Sequence, residues 1–590
     1  MEALAVSTSR RAVLGAMLGV PAALLGCRGK RPRRAPQDIA GGFVARPERI
    51  GHRLRDGETV EPPPERWERA GVVIVGGGVA GLSAAWRLLD AGVEDLVVLE
   101  LDRVLGGTAQ SGGPDPGSGP GFVYPWGAHY VTAPMRENRA LVKLLDEMSV
   151  FEGRDQHGDP VVAEQHLCRD PDERVFYRGR WYSGLFMHAG ASATDEAQYA
   201  AFQAEMGRMA ELRDGSGRRA FALPTAACSD DAELMALDRV SMAAWMDQRG
   251  YTSPRLRWYA DYACRDDYGL GLDHTSAWAG LLYYASRLTR VGGDYQPIIT
   301  WPEGNGRVVA HLAARVGARA RTGWAVAELR PVERAGPDAA EPGAGTGSAG
   351  PGGPSGVDAG SGAGAGPGVD VVALTADGAE AAGIRAQHVI YAGPQFLARY
   401  LIRPWRERAP DHLSGFDYGP WMVANLHLSD RPRSLGFPLA WDNILYDSRS
   451  LGYVVSTHQR GLDHGRTVLT YYYPLLDPDS RAARRRLLEL DWADWAELAL
   501  TDLERAHPGL RTLVERVDVM RWGHAMVRPH PGFVSSAERR AARSPFRNIH
   551  FAHSDLSGVA IIDEAVDHGV RAAEEVLAAR GIDSPSLRAS

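Results

Sequence analysis

Three glycines at fixed spacing, Gly76, Gly78 and Gly81, followed by a single acid, Glu100, form the most chemically directed set in the chain. Glycines in that rhythm permit a tight turn, close approach of backbone to a pyrophosphate, and tight packing of a helix. An acid about twenty residues further on accepts hydrogen bonds from ribose hydroxyls. The elements that must position them are legible on either side. Val72-Val-Ile-Val75 is a short β-branched run suited to a strand covered on both faces. A helix is predicted over 81 to about 90, with Val79, Ala80 and Gly81 presenting their amides to phosphate. Asp95-Leu-Val-Val-Leu-Glu100 is the second strand, so strand, glycines, helix, strand and acid together read as a dinucleotide-binding βαβ unit.

The residues after Glu100 choose between dinucleotides. Gly106-Gly107-Thr108 places a glycine pair just past the ribose acid, as in proteins that hold FAD extended. Near the other end, Asn548-Ile-His-Phe-Ala-His553-Ser554-Asp555 reads as a strand ending in a polar turn. A helix is expected from Asp563, with Ile562, Val566, Val570, Ala573 and Leu577 on one stripe. Ser554 and Asp555 are candidates for the ribityl hydroxyls, and the helix start suits negative charge at a flavin pyrimidine. No cysteine lies in this segment, so noncovalent FAD is expected.

These residues resemble the flavin amine oxidase superfamily, which includes monoamine and polyamine oxidases, protoporphyrinogen oxidase and phytoene desaturases. Trp126-Gly-Ala-His-Tyr130, Trp301-Pro-Glu-Gly-Asn-Gly306 and His388-Val-Ile-Tyr-Ala-Gly-Pro394 look like its intermediate landmarks. The resemblance implies an α/β fold: a Rossmann-like FAD-binding domain (GR2-type) with an inserted α+β substrate-binding domain. The FAD-binding domain is expected to be built from 70–135, 295–400 and 516–580, and the substrate domain from 136–294 and 401–515. In the amine oxidases a lysine commonly holds a water at the flavin and an arginine often follows the glycine doublet. Here Thr108 follows the doublet, and of the two lysines, Lys30 and Lys143, the second falls in an early amphipathic helix.

Catalytic candidates are therefore imidazoles. His524, in Trp522-Gly-His524-Ala-Met-Val-Arg528, precedes the C-terminal motif where the family chain passes the flavin, and His129 lies near the ring by resemblance. An imidazole titrating near about 6.5 can move protons at neutral pH; each histidine also suits a hydrogen-bonded structural role, and for His129 that reading is the stronger. Trp126, Trp421, Trp441, Tyr453 and Trp522 are candidate pocket walls, and each also suits ordinary core packing. Arg265-Asp-Asp-Tyr268 reads as a charged cluster or an interdomain salt bridge, and His458 with Gln459 is open to either reading.

At 590 residues the chain suffices for two large domains, and a net charge of −7 argues against nucleic acid as a partner. Cys168, Cys228 and Cys264 are too few and scattered for a metal site or disulfide framework, so no metal is expected. Ser9-Arg10-Arg11 opens an apolar stretch ending Leu24-Leu25-Gly26-Cys27, which looks like a twin-arginine export signal with a lipoprotein box. Residues 1–27 then form the signal, Cys27 the lipidated end at an extracytoplasmic, periplasmic membrane face, and 28–69 a tether. The twin-arginine translocase is the expected partner during export. The Gly/Ala/Pro/Ser stretch 336–368 is read as a disordered loop at the tip of a hairpin between strands 325–332 and 371–375. Three functions remain open: hydride transfer from a CH–NH or CH–CH donor, with oxygen or a respiratory component as acceptor; a carotenoid-type desaturase or isomerase acting on a lipid-like substrate; and a flavin-containing binding or assembly subunit without turnover.

Overall fold

The computed structural model describes residues 35–114, 121–332 and 367–588. Arg10, Arg11, Cys27 and Lys30, and 336–366 of the low-complexity stretch, lie outside the described residues.

Val72, Val73 and Ile74 are fully buried, as a strand with both faces covered requires. They belong to a seven-stranded sheet in the order Ala320–Thr322, Leu96–Glu100, Trp67–Val75, Ala381–Tyr391, Gly368–Thr375, Trp324–Val332, with Ile549–Phe551 also paired to Ala381–Tyr391. Its centre is parallel. The helix Val79–Asp90 packs against the C-terminal helix Ile562–Ala579, whose expected stripe is buried throughout. Each fully buried Val, Ile or Leu of that stripe contributes about 1.5–3 kcal/mol. Gly569 allows the close crossing, because a Cβ there would come 2.3 Å from the Ala80 carbonyl oxygen. Trp324–Val332 and Gly368–Thr375 form the expected antiparallel pair, with Val332 opposite Gly368.

The second sheet has eight strands: Ala40–Phe43, Val514–Val527, Tyr418–Leu428, Thr467–Pro474, Gly452–Val455, Asp442–Leu445, Glu173–Tyr177 and Arg180–Ser183. Side chains alternate across it. Val423, Val454 and Val468 meet a layer containing the helices Ala193–Glu211, Pro254–Tyr268 and Ala277–Ala285. Met422, Ala424 and Leu469 meet Ser480–Glu489 and Trp492–Ala506 on the other face.

Three boundaries differ from the sequence reading. The helix Arg139–Glu147 turns Leu141, Leu144 and Leu145 into the core of the dinucleotide-binding layer, so that layer extends past 135. Val514–Val527 pairs along its length with Tyr418–Leu428, so the substrate sheet extends to 527 rather than ending at 515. Part of the stretch expected as a tether is built into the fold: Ala40–Phe43 pairs in parallel with 516–519, and Ile50 and Leu54 of the helix Glu48–Arg55 bury against Ala325, Ala327, Val372 and Leu374.

Candidate active site

The glycine turn is shaped as its spacing predicts. Gly76 adopts φ +107°, where a side chain is strained, and a Cβ on Gly81 would stand 1.9 Å from the Gly76 carbonyl oxygen. The doublet folds back on it: Gly106 N–H donates to Gly77 O at 2.8 Å, and Gly106 and Gly107 both have positive φ. Gly78 and Gly107 bring the two turns close together, a Cβ on Gly107 standing 3.5 Å from Gly78 Cα. Gly78 supplies no side-chain cap to Val79–Asp90, so the amides of Val79, Ala80 and Gly81 are left for a ligand. Glu100 accepts from Gly77 N–H and Asp102 N–H, each at 2.7 Å, which locks its carboxylate at the end of the second strand. Burial raises its pKa against those two bonds. A cradle closed to side chains, orphan amides and a positioned acid fit a dinucleotide such as FAD.

A cavity continues from this cradle. Thr108, Gly127 and His129 line it together with Trp421, Tyr472, Trp522 and the backbone from Ala560 to Asp563, where the C-terminal helix begins. Gly127 is required there, since a Cβ would meet Thr108 O at 2.3 Å. Asn305 lines the cavity with its Oδ1 buried and unpartnered, a polar atom left for a bound group.

Of the two catalytic candidates, only His129 lines the cavity. Its ring lies 4.8 Å from Tyr472 in a near-parallel stack, and its Nδ1 donates to Gly127 O at 3.2 Å. Burial pushes it down to about 4, so it is a neutral ring at pH 7. His524 does not line the cavity. It stacks on Phe396 with ring centres 4.0 Å apart, and burial pushes it down to about 3, so the structure gives it a packing role. Asp555 is enclosed by Gln395 N–H, Tyr418 Oη–H and His553. Its Oδ2 takes the first two of those hydrogen bonds and Oδ1 lies 2.9 Å from His553 Nδ1, which fixes the turn Ser554–Ser557, while Ser554 stays partly exposed.

The aromatic candidates divide. Trp421 and Trp522 line the cavity. Trp126 stands behind the wall, its carbonyl accepting from Trp522 Nε1–H at 2.7 Å, and Trp441 packs 5.4 Å from His129. Tyr453 faces the opposite side of its sheet, bonded to His507 at 2.7 Å and Arg174 at 3.2 Å. Tyr472, not selected from sequence, donates to Gly127 O at 2.8 Å and supplies the wall that Tyr453 was expected to form. His458 and Gln459 clasp the carbonyls of Arg169 and Leu167, each at 2.8 Å, and Lys143 pairs with Asp90 and Glu147 away from the cavity. Cys228 and Cys264 are buried free thiols, whereas Cys168 is half-buried.

The cluster at 265–268 is where sequence reasoning stopped short. Asp266 and Asp267 both line the cavity, with Arg287. Asp267 pairs with Arg287 at 2.8 Å and accepts from Tyr130 Oη–H at 3.3 Å. Asp267 and Arg287 both lie in the substrate stretch 136–294, so their ion pair is not interdomain, whereas the Tyr130 bond reaches in from the dinucleotide-binding stretch. Burial raises both acids, and repulsion from Asp267 raises Asp266 further, against the pull of Arg287, Arg265 and the Tyr130 hydroxyl; the close ion pair with Arg287 is made by Asp267. Asp563, at the helix start, is pushed up to about 6 by burial and accepts from Asn138 Nδ2–H at 2.8 Å.

Two family profiles match the chain: an NAD(P)-binding Rossmann-like domain over residues 74–148, and a flavin containing amine oxidoreductase over 361–577. Short stretches resemble mitochondrial dimethylglycine dehydrogenase of Rattus norvegicus, 43% identical over 56 residues, and of Mus musculus, 41% over 68. These cover 9% and 11% of this chain but only 6% and 8% of those relatives. Among solved structures, wild-type putrescine oxidase bound to putrescine has TM-score 0.58 at 17% identity, covering 87% of this chain and all (100%) of its own. Cyclohexylamine oxidase from Brevibacterium oxydans gives 0.56 at 14%, covering 87% and 100%. A CLA-producing fatty acid isomerase from P. acnes gives 0.55 at 15%, covering 86% and 98%. The fold is thus the one these enzymes share: a Rossmann-like dinucleotide-binding domain joined to a substrate-binding domain.

Proposed function

We propose that this chain is an FAD-dependent oxidoreductase of the amine-oxidase type, removing a hydride from the CH–NH unit of a small amine. The observation that carries the substrate class is Asp266, a carboxyl lining the same cavity as Trp421, Tyr472 and Trp522, while its neighbour Asp267 is paired with Arg287. Noncovalently bound FAD would supply the hydride acceptor. The protein's own residues do the rest. Asp266 attracts the ammonium and, being raised by burial and by Asp267, is a better base than an ordinary aspartate for drawing off its proton. Tyr472, Trp421 and Trp522 exclude water and hold the substrate carbon in place. His129, neutral at pH 7, adds no competing charge.

A second reading is an isomerase or desaturase acting on a lipid-like substrate. It is favoured by the fold shared with a fatty acid isomerase and by the apolar walls of the cavity. Anaerobic mixing of the purified yellow protein with amines, polyenes and unsaturated fatty acids separates the readings. Bleaching of the flavin band by an amine supports the first, while bleaching or isomerisation with a polyene or unsaturated acid replaces it by the second. Inertness to every donor, with a stable protein partner, indicates a subunit without turnover. Export by the twin-arginine route and anchoring at Cys27 are proposed from Arg10, Arg11 and the apolar run alone. Replacing both arginines by lysine should strand the protein in the cytoplasm, and unchanged export would refute that route. The electron acceptor, oxygen or a respiratory component, follows from the same donor assay run with and without air.

A further inference from the structure

We propose that Arg46 is the cation that holds the cofactor's diphosphate, delivered from outside the dinucleotide-binding unit by a strap spanning 40–55. This rests on the FAD reading above. Arg46 lies between two parts of the cleft. Its Nη2 meets Asp102 Oδ2 at 2.8 Å, and Asp102 N–H donates to Glu100, the acid positioned for the ribose. On the other side its guanidinium carbon stands 4.2 Å over the ring of Trp522, which lines the cavity. A cofactor reaching from Glu100 to that cavity must carry its diphosphate across the interval that Arg46 occupies.

The electrostatics of the interval call for such a group. Glu100 and Asp102 are both acids, and the doublet is followed by the uncharged Thr108. A doubly charged diphosphate beside two carboxylates needs a counter-ion. A guanidinium has five N–H donors; Nη2 holds Asp102, and the long contact of Nη1 with Met520 Sδ, 4.0 Å, is weak enough for a phosphate oxygen to replace it.

The strap has the architecture of a built part. Ala40–Phe43 joins the edge of the substrate sheet, and Val44 N–H donates to Val519 O at 2.9 Å. Gly41, at φ +138°, lets it lie so close that a Cβ would stand 1.8 Å from Val517 O. Only a few residues later, Ile50 and Leu54 bury against the dinucleotide sheet. Arg46 sits at the crossing, so one short segment ties both domains together at the point where the cofactor runs between them.

The test is FAD titration of apoprotein, followed by flavin fluorescence at low and high salt. Arg46→Met keeps an unbranched apolar side chain beside Trp522 without the charge; it should weaken FAD about ten- to hundredfold at low salt and flatten the salt dependence. Arg46→Lys should recover part of the loss, since it restores charge but not the planar fork. In the unaltered protein, FAD should protect Arg46 from phenylglyoxal, as read by peptide mass spectrometry, so the test does not depend on a variant folding. Equal affinity in Arg46→Met, or equal labelling of Arg46 with and without FAD, overturns the assignment. A wild-type protein that binds no FAD at all removes the cofactor reading itself, a distinguishable failure.

Discussion

Asp266 illustrates how one residue changes meaning with its surroundings. In sequence it is half of an Asp-Asp pair inside a charged run; in the fold it lines a cavity while Arg287 pairs with its neighbour. Asp266→Asn should keep FAD and raise KM for an amine about ten- to hundredfold. The pH dependence has a definite sign. A carboxyl whose pKa is raised is protonated first as pH falls, so amine affinity should weaken as pH drops through neutrality, and the variant should lose that limb of the KM profile. His524 makes the complementary case. Its pKa is depressed in the fold to about 3, so its contribution to stability is present above the unfolded value of about 6.5 and is lost as pH falls. His524→Phe, which keeps the stack on Phe396, should bind FAD and turn over normally while gaining about 2 kcal/mol at about pH 5 in denaturant unfolding. A large loss of flavin reduction rate would return His524 to catalysis.

At the scale of elements, helices and the glycine turn were the legible parts, because their signals are local. The buried stripe of Ile562–Ala579 and the turn at Gly76 follow from spacing alone. Gly81→Val is expected to push helix from strand, lowering stability by about 1–3 kcal/mol and releasing FAD, measured by melting and by the flavin content of the purified protein. Strand phase was not legible. Tyr471, Tyr472 and Tyr473 are consecutive, so alternation alone does not say which faces the cavity; the pairing of Val423 with Tyr472 decides it. Trp522 and His524 look equivalent at a spacing of two. The structure places an irregularity there: Trp421 pairs with Trp522 but Gly419 with Met526, so the intervening residues bulge and His524 is turned toward Phe396.

At the scale of the whole molecule, the cofactor site is shared by pieces far apart in the chain, and the long stretch between two of them is dispensable by this account. Val332 faces Gly368 in a closed register, so replacing 333–367 by a two-residue Asn-Gly turn should leave the flavin spectrum and turnover unchanged and keep or raise the melting temperature. Loss of flavin in that variant would assign the segment a role. The amino-acid order by itself determined the dinucleotide-binding unit, the glycine doublet, the C-terminal helix and the α/β class, because each is encoded in contacts between near neighbours or in a periodic apolar pattern. Tertiary structure alone decided that Asp266 and Tyr472 share a cavity with His129, that Tyr453 and His524 do not, and that Arg46 crosses the cleft. Those juxtapositions depend on sheet register and on a strap closing over both domains, and neither leaves a signature at any fixed spacing along the chain.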